Sequence, residues 1–294
     1  MGILTQRFFR NPHRLILTYA LLGVWTLVCL FPLYWVAVTS LKAEAEITGG
    51  PFYLPFLDFA PTLESWAYLL TDPNDNLLGR YFNSLVVALA ATALALLLGA
   101  MAVYGVSRFT KGGQAILTAM LATRVLPPMV MALPLYMMAY YTDTLDTRFA
   151  LIFTYAAINL PVVVWLLQPV FGPRATEQEE AAQLDGASRL AIFFSIFLPM
   201  VAGSLAAVGL FVFILCWNEY LFAAWLAGNN AMTLPPWLVG QMSMKEAQVG
   251  GEAEEWARFS AATVMMMAPL LIVAVLTRAN SWLGRLALFG NRHG

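Results

Sequence analysis

Two charged side chains stand inside otherwise apolar runs: Arg124, in the stretch from Gly112 to Tyr141, and Glu219, within Trp217-Asn218-Glu219-Tyr220. An ionisable group inside a membrane span is expensive and is kept against a cavity or another polar group, so each is a functional candidate. A guanidinium offers several directed donors, suited to hydroxyls or to an anionic substituent on a passing solute. Pro127 and Pro128 follow Arg124 within one turn. They would kink or unwind the helix, which is tolerated where backbone lines a cavity. Arg124 then either lines a path or is a structural arginine satisfied by carbonyls freed at the kink. At ~1.5 Å per residue from Gly112, Arg124 lies about 18 Å in. Glu219, counted from Leu198, lies about 14 Å further out if both helices run straight, so an Arg124–Glu219 pair is not expected. The remaining reactive types are sparse. Cys29 and Cys216 sit apart in apolar runs, and His13 and His293 lie near opposite ends, so no disulfide framework, zinc site or nucleophile–base pair can be argued from them.

The elements that must carry these groups follow from composition. Of 294 residues 60% are hydrophobic and 11% charged, against about 25% charged in ordinary soluble proteins, which excludes a soluble enzyme. The net charge of -1 provides no field for nucleic acid; the partner is lipid. A helix needs about 20 largely apolar residues to cross the hydrocarbon layer, because every backbone amide must be bonded within it. The gaps between charges predict six crossings, at about 15–41, 81–107, 113–141, 150–171, 198–227 and 259–277. The second half of the uncharged stretch from Tyr220 to Met244, with Pro235, Pro236 and Gly240, reads as loop. Residues 62–70, with Trp66 and Tyr68, read as a short interfacial helix.

Basic residues are retained on the cytoplasmic side. With the N-terminus inside, ten Lys and Arg fall on cytoplasmic segments (Arg7, Arg10, Arg14, Arg108, Lys111, Arg174, Arg189, Arg278, Arg285 and Arg292). Five fall outside (Lys42, Arg80, Arg148, Lys245 and Arg258), which predicts both termini in the cytoplasm. Ala43-Glu44-Ala45 has the form of a cleavage site, but the preceding apolar stretch is about twice too long for a signal peptide. The 228–258 loop, with Glu246, Glu252, Glu254 and Glu255, is either a contact for an external protein or a solvated connection.

The densest inner charge cluster is Thr176-Glu177-Gln178-Glu179-Glu180-Ala181-Ala182-Gln183-Leu184-Asp185-Gly186-Ala187. Thr176 and Glu179 have capping-box spacing, three glutamates suit the positive end of a helix dipole, and Gly186 supplies a stop. By periodicity alone this is equally a capped connector between two membrane helices. The pattern Glu180-Ala181-Ala182-x-x-Asp185-Gly186-Ala187, followed by Phe193, Ile196 and Leu198-Pro199, resembles the EAA loop of permease subunits in binding-protein-dependent ABC importers. The likeness covers roughly residues 62 to 276 and points to the carbohydrate, maltose-type permeases. It runs through Arg80-Tyr81-Phe82-Asn83-Ser84-Leu85, Tyr104 to Phe109, Thr123-Arg124-Val125-Leu126-Pro127-Pro128, Trp217-Asn218-Glu219-Tyr220 and Thr233-Leu234-Pro235. The tail departs, with Leu288-Phe289-Gly290-Asn291-Arg292 where that group carries a Gly-Ala-Val-Lys-Gly-like string.

The resemblance implies an all-α, type I ABC importer permease fold. It implies a single transmembrane domain over 1–294 and a cytoplasmic coupling helix at 176–187, between helices 4 and 5. It further implies a second, distinct permease chain, two ATPase subunits and an extracytoplasmic solute-binding protein, in a bacterial or archaeal cytoplasmic membrane. The chain has no G-x-x-x-x-G-K-[ST] loop, so no cofactor is expected on it, and ATP with Mg belongs to the partner subunits. Glu180 and Asp185 become candidates for polar docking, Ala181 and Ala182 for close approach and Gly186 for the turn, with Ala187 in the same ATPase-coupling set. Arg124, Pro127, Trp217, Asn218 and Glu219 become candidates for the path of a carbohydrate. Trp217 and Tyr220 would either stack on a sugar face or belong to the interfacial aromatic belt. A secondary transporter driven by an ion gradient through Arg124 and Glu219 is the rival reading; it leaves the capped loop unexplained. A membrane-embedded enzyme would need paired groups at one depth.

Overall fold

The computed structural model describes residues 12–50, 53–71, 76–109, 113–170, 173–245 and 252–279. Arg7, Arg10, Lys111, the tail from Leu288 to Arg292, Glu246 and the side chains of Glu252, Glu254 and Glu255 lie outside that description. The regular structure of the described residues is helical, apart from one isolated bridge between Pro55 and Phe59. In order the helices are α1 (Pro12–Thr39), α2 (Glu44–Thr48), α3 (Glu64–Thr71), α4 (Leu77–Phe109), α5 (Gly113–Ala122), α6 (Pro128–Tyr141) and α7 (Arg148–Leu167). They continue as α8 (Pro173–Leu184), α9 (Arg189–Ile192), α10 (Leu198–Met200), α11 (Ala202–Trp217), α12 (Leu221–Leu226), α13 (Leu234–Lys245) and α14 (Glu252–Ala279).

Among the described residues, four stretches are long and apolar enough to cross a membrane: Leu15–Thr39, Leu77–Arg108, Arg148–Val170 and Trp256–Ala274. Two further pairs meet the same test only together, because each is bent. Ala115–Val125 and Pro128–Tyr141 meet at 93°, and Arg189–Met200 and Ala202–Trp217 at 78°. The third and fifth apolar runs are therefore broken rods, and the straight-helix ruler that separates Arg124 from Glu219 by depth does not apply. The segment read as loop after Tyr220 also differs. It forms α13, because Pro235 and Pro236 fall in the first turn, where a missing N–H deprives the helix of nothing.

Chain contacts divide the protein into two compact units: Met1–Asp75 with Gln241–Met267, and Asn76–Gly240 with Ala268–Gly294. In the first, α1 ends at Thr39 and Lys42 is buried beneath the rings of Trp35 (4.6 Å) and Phe59 (5.5 Å). Burial lowers its ammonium pKa, with Glu46 and Asp58 opposing the shift. In the second, α4, α7 and α11 form the packed centre. Ala88, Ala91 and Ala95 of α4 are fully buried. Gly99 of α4 lies against Val163 of α7 with no room for a Cβ, and a Cβ on Gly209 of α11 would stand 2.8 Å from Leu96. Small residues at these crossings let the backbones approach and gain dispersion contact, which replaces the hydrophobic drive that lipid cannot supply.

Candidate functional site

Three arrangements in the second unit bear on function. The first is the polar knob. α8 begins at Pro173, a residue favoured at the first helical position, so Thr176 lies inside the helix and not at its cap. Glu179, expected to close a capping box with it, turns elsewhere. Its carboxylate accepts from Arg108 Nε at 3.0 Å and Arg108 Nη2 at 3.2 Å, a two-pronged pair with Glu179 only 2% exposed. The capping box is thus replaced by a long-range ion pair, which sequence spacing could not reveal. At the other end the expected stop is present: Gly186 has φ +85°, its N–H donates to Gln183 O, and Ala187 N–H donates to Ala182 O. These bonds form a Schellman closure, for which the left-handed residue is usually glycine. Ser188, not singled out beforehand, caps the next helix by accepting from Ala191 N at 3.2 Å.

Glu180, Ala181 and Asp185 are exposed, whereas Ala182 and Ala187 are half-buried. Leu184 is 89% exposed, an apolar side chain standing out from the most polar helix of the chain. Its signal in the sequence was the lone large apolar residue among the glutamates.

The second arrangement is the break at Arg124. After α5 the chain makes a 3-10 turn over Thr123–Val125, then two extended residues, Leu126 (ψ 131°) and Pro127 (ψ 131°), before α6. The Pro127-Pro128 pair holds its predecessors away from helical geometry, which accounts for the 93° bend. Arg124 is exposed, and its Nη2 donates to Asn159 Oδ1 at 3.1 Å. Asn159, 2% exposed, donates in turn to Tyr155 O (2.9 Å) and Cys216 Sγ (3.4 Å). The guanidinium is thus tethered to a side chain of α7 and not to carbonyls freed at the bend. It edges a cavity of about 50 Å³ lined also by Thr123, Leu126, Pro128, Ile158 and Phe222.

The structure does not bring all the path candidates to that cavity. Glu219 lies between α11 and α12, where its Oε1 accepts from Phe222 N at 2.9 Å and caps the short helix. Arg124 is near enough for its charge to act on Glu219, but the two form no ion pair. Asn218 is exposed, and its amide donates back to Ile214 O at 2.8 Å. Trp217 is 1% exposed, packed against Tyr81 (5.5 Å) and Phe213 (5.9 Å). It is a core residue, offering a ring face neither to a sugar nor to the lipid interface. The aromatic cluster of α4 and α11 claims it, and a lone Trp beside polar residues in the sequence gives no hint of that.

The third arrangement was missed beforehand. Asp146, at φ 55°, receives N–H bonds from Gly228 (2.7 Å), Ala231 (2.9 Å) and Asn230 (3.1 Å), and from the Asn230 side-chain amide (3.0 Å). Burial acts to raise its pKa, but these donors together hold the carboxyl below the ordinary value of 3.8. Asn83 donates to Asn230 O and Met232 O, Arg148 Nε donates to Asn83 Oδ1 at 2.7 Å, and Ser84 Oγ accepts from Leu234 N. The 226–234 connection is thus clipped to α4 and to the start of α7.

The chain matches, over residues 91–283, the family described as the inner membrane component of binding-protein-dependent transport systems. It is 34% identical over 266 residues to a diacetylchitobiose uptake permease of Streptomyces coelicolor, covering 89% of this chain and 84% of that one. It is 31% identical over 252 residues to a trehalose/maltose permease of Thermococcus litoralis, covering 85% and 87%. Its fold is similar to a chain of a bacterial ABC transporter involved in import of the acidic polysaccharide alginate, with TM-score 0.71 and 21% identity over 90% of this chain and 95% of that one. This protein belongs to the family of inner-membrane permease components of binding-protein-dependent ABC transport systems.

Proposed function

We propose that the chain is one permease subunit of an ATP-driven importer that carries a carbohydrate, an oligosaccharide, polyol or modified sugar, across the cytoplasmic membrane. Its apolar runs make six crossings, the third and fifth of them bent, with both termini in the cytoplasm. α8 and its turn form the coupling helix between crossings four and five. The observation that carries this reading is the knob itself: Glu179 is locked inward while Glu180, Ala181, Leu184 and Asp185 face out. A rigid, capped helix with an exposed apolar tip fits a groove on an ATPase. The carbohydrate class rests on relatives named for diacetylchitobiose and for trehalose/maltose.

In this scheme two permeases, the second a distinct chain, enclose the path. Two ATPase subunits hold ATP and Mg, and an extracytoplasmic binding protein delivers the solute. Nucleotide-driven closure of the ATPases moves the knob, and the packed centre of α4, α7 and α11 follows. Arg124, presented at the Pro127 break, donates to hydroxyls or an anionic substituent of the passing solute, and Asn218 and Glu219 border the path. The test is to purify the detergent-solubilised complex: an ATP-hydrolysing subunit should copurify and cross-link to a cysteine on the knob. Transport that persists with ATP depleted and the ion gradient intact would establish the secondary carrier instead.

A further inference from the structure

The chain leads from the knob into α7 on one side and α9 on the other, yet the buried charge among its described side chains, Glu179, is bonded to neither. Glu179 is paired with Arg108, in the last turn of α4, about seventy positions earlier in the chain. Both guanidinium contacts are within hydrogen-bond range, and the two side chains are 16% and 3% exposed. Such a pair resists separation, because removing one partner leaves a buried charge uncompensated. The Tyr104 hydroxyl, one turn back on α4, donates to the same carboxylate. Its ring lies 5.2 Å from both Phe193 and Phe197, which begin and end a π-helical turn at the entrance to the bent fifth run. π turns are rare and concentrate at functional positions. Tyr104 and Arg108 thus touch both limbs of the knob region, α8 and the π turn.

The geometry points to Arg108, Glu179 and Tyr104 as positioning residues that make the knob and α4 one lever, so that displacement of the knob enters the molecule through α4. This rests on the reading of α8 as the coupling helix. The consequence is mechanical. α4 is the longest of the described helices, 33 residues, and meets α7 at Gly99 and α11 at Gly209 without clearance. A push on α4 is therefore shared by the whole packed centre, whereas a push through the backbone alone would be absorbed at the Schellman turn and the 78° bend.

The test uses the complete importer with its ATP-hydrolysing and solute-binding subunits, reconstituted in liposomes after Cys29 and Cys216 are replaced by serine. Nitroxides on Gln183→Cys and Leu98→Cys report the spacing of knob and α4 before and after trapping with Mg-ATP and vanadate. ATP hydrolysis stimulated by the solute-loaded binding protein is the second readout. The lever requires that the spacing stay fixed on trapping. Arg108→Glu and Glu179→Arg should each broaden it and lower the stimulated hydrolysis about tenfold, and the two together should recover most of both losses. The neutral pair Arg108→Gln with Glu179→Gln, which keeps shape and removes charge, decides the matter if a single reversal fails to accumulate; it should assemble, broaden the spacing and lose stimulation. Unchanged spacing and stimulation in these variants would overturn the lever, as would a double reversal that recovers neither. A cysteine at Leu184 separates this from the reading beneath it. No cross-link to an ATP-hydrolysing subunit in the otherwise native complex would sink the coupling role, whereas a cross-link with unaffected reversals would sink the lever alone.

Discussion

The bend at Arg124 and the knob at α8 both interrupt apolar helix, and they are held in opposite ways. At Arg124 the backbone is turned by its own sequence: Pro127 and Pro128 forbid continuation, and a single side-chain bond from Arg124 to Asn159 decorates the result. At the knob the backbone would tolerate many arrangements. It is fixed from outside, by Arg108 on α4, and closed by a Schellman turn and the Ser188 cap. A bend set by proline can leave a charge presented to open space, because nothing else depends on where that charge sits. A segment that must move as a body has to be tied to something stiffer than its own loops.

The largest effect is expected at Gly186. A Gly186→Val variant places a β-branched residue at φ +85°, where such side chains are strongly disfavoured. Uptake should fall to background while the protein remains in the membrane fraction at normal abundance, because only the turn is disturbed. Near-normal uptake would show that the knob does not need a fixed exit. Next in size is Glu179→Ala, which strands Arg108 and should destabilise the second unit by about 3–5 kcal/mol, read as a lowered Tm of the purified complex. Leu184→Ala, at an exposed position, should leave Tm in place and weaken ATPase association. If both variants lowered Tm equally, the distinction between the inward anchor and the outward tip would be lost.

The sequence made the interruption at Pro127-Pro128 and the stop at Gly186 legible because both are local, set by φ restriction in residues a few positions apart. It also placed the long apolar runs and the short helix now seen as α3. What it could not supply was any pairing across many residues. Glu179 was assigned to Thr176 by spacing, and Arg108 counted only as a basic residue on one side of the membrane. Asp146 organises the 226–234 connection through donors more than eighty positions away. Trp217 was judged by its polar neighbours in sequence, and its neighbours in space are Tyr81 and Phe213. The segment holding α13 reads as loop in sequence because two prolines signal a loop as readily as the first turn of a helix.

A smaller effect is expected at Asp146, which resembles the knob in being a segment held from afar. Asp146→Asn removes the charge from the acceptor of four N–H bonds but keeps an amide oxygen, so the bonds weaken without being lost, and hydrogen exchange at residues 226–234 should accelerate. The pH dependence has a definite sign. The folded pKa is held below the ordinary 3.8, so the clip's contribution is fully present above that value and fades as pH falls through the folded pKa. Exchange in this segment should therefore rise on acidification only below about pH 4 in the native protein. In the Asn variant it should not respond there.

The smallest effect is expected at the Arg124 tether. Arg124→Ala removes the donor to Asn159 and should lower stability by only about 1 kcal/mol, since Arg124 is exposed and water can replace the bond. If Arg124 serves the passing solute, the tether matters for orientation and not for folding. Arg124→Ala should then raise the concentration of loaded binding protein needed for half-maximal uptake, with Tm nearly unchanged, and Arg124→Lys should do the same, because a point charge lacks the directed donors of a guanidinium. Were Arg124 instead a brace for the bend, both variants would lower Tm together and leave that concentration where it was. The 93° bend would then need a side chain to hold it, as the knob does, and the contrast between a bend made by proline and a segment held by ion pair would collapse.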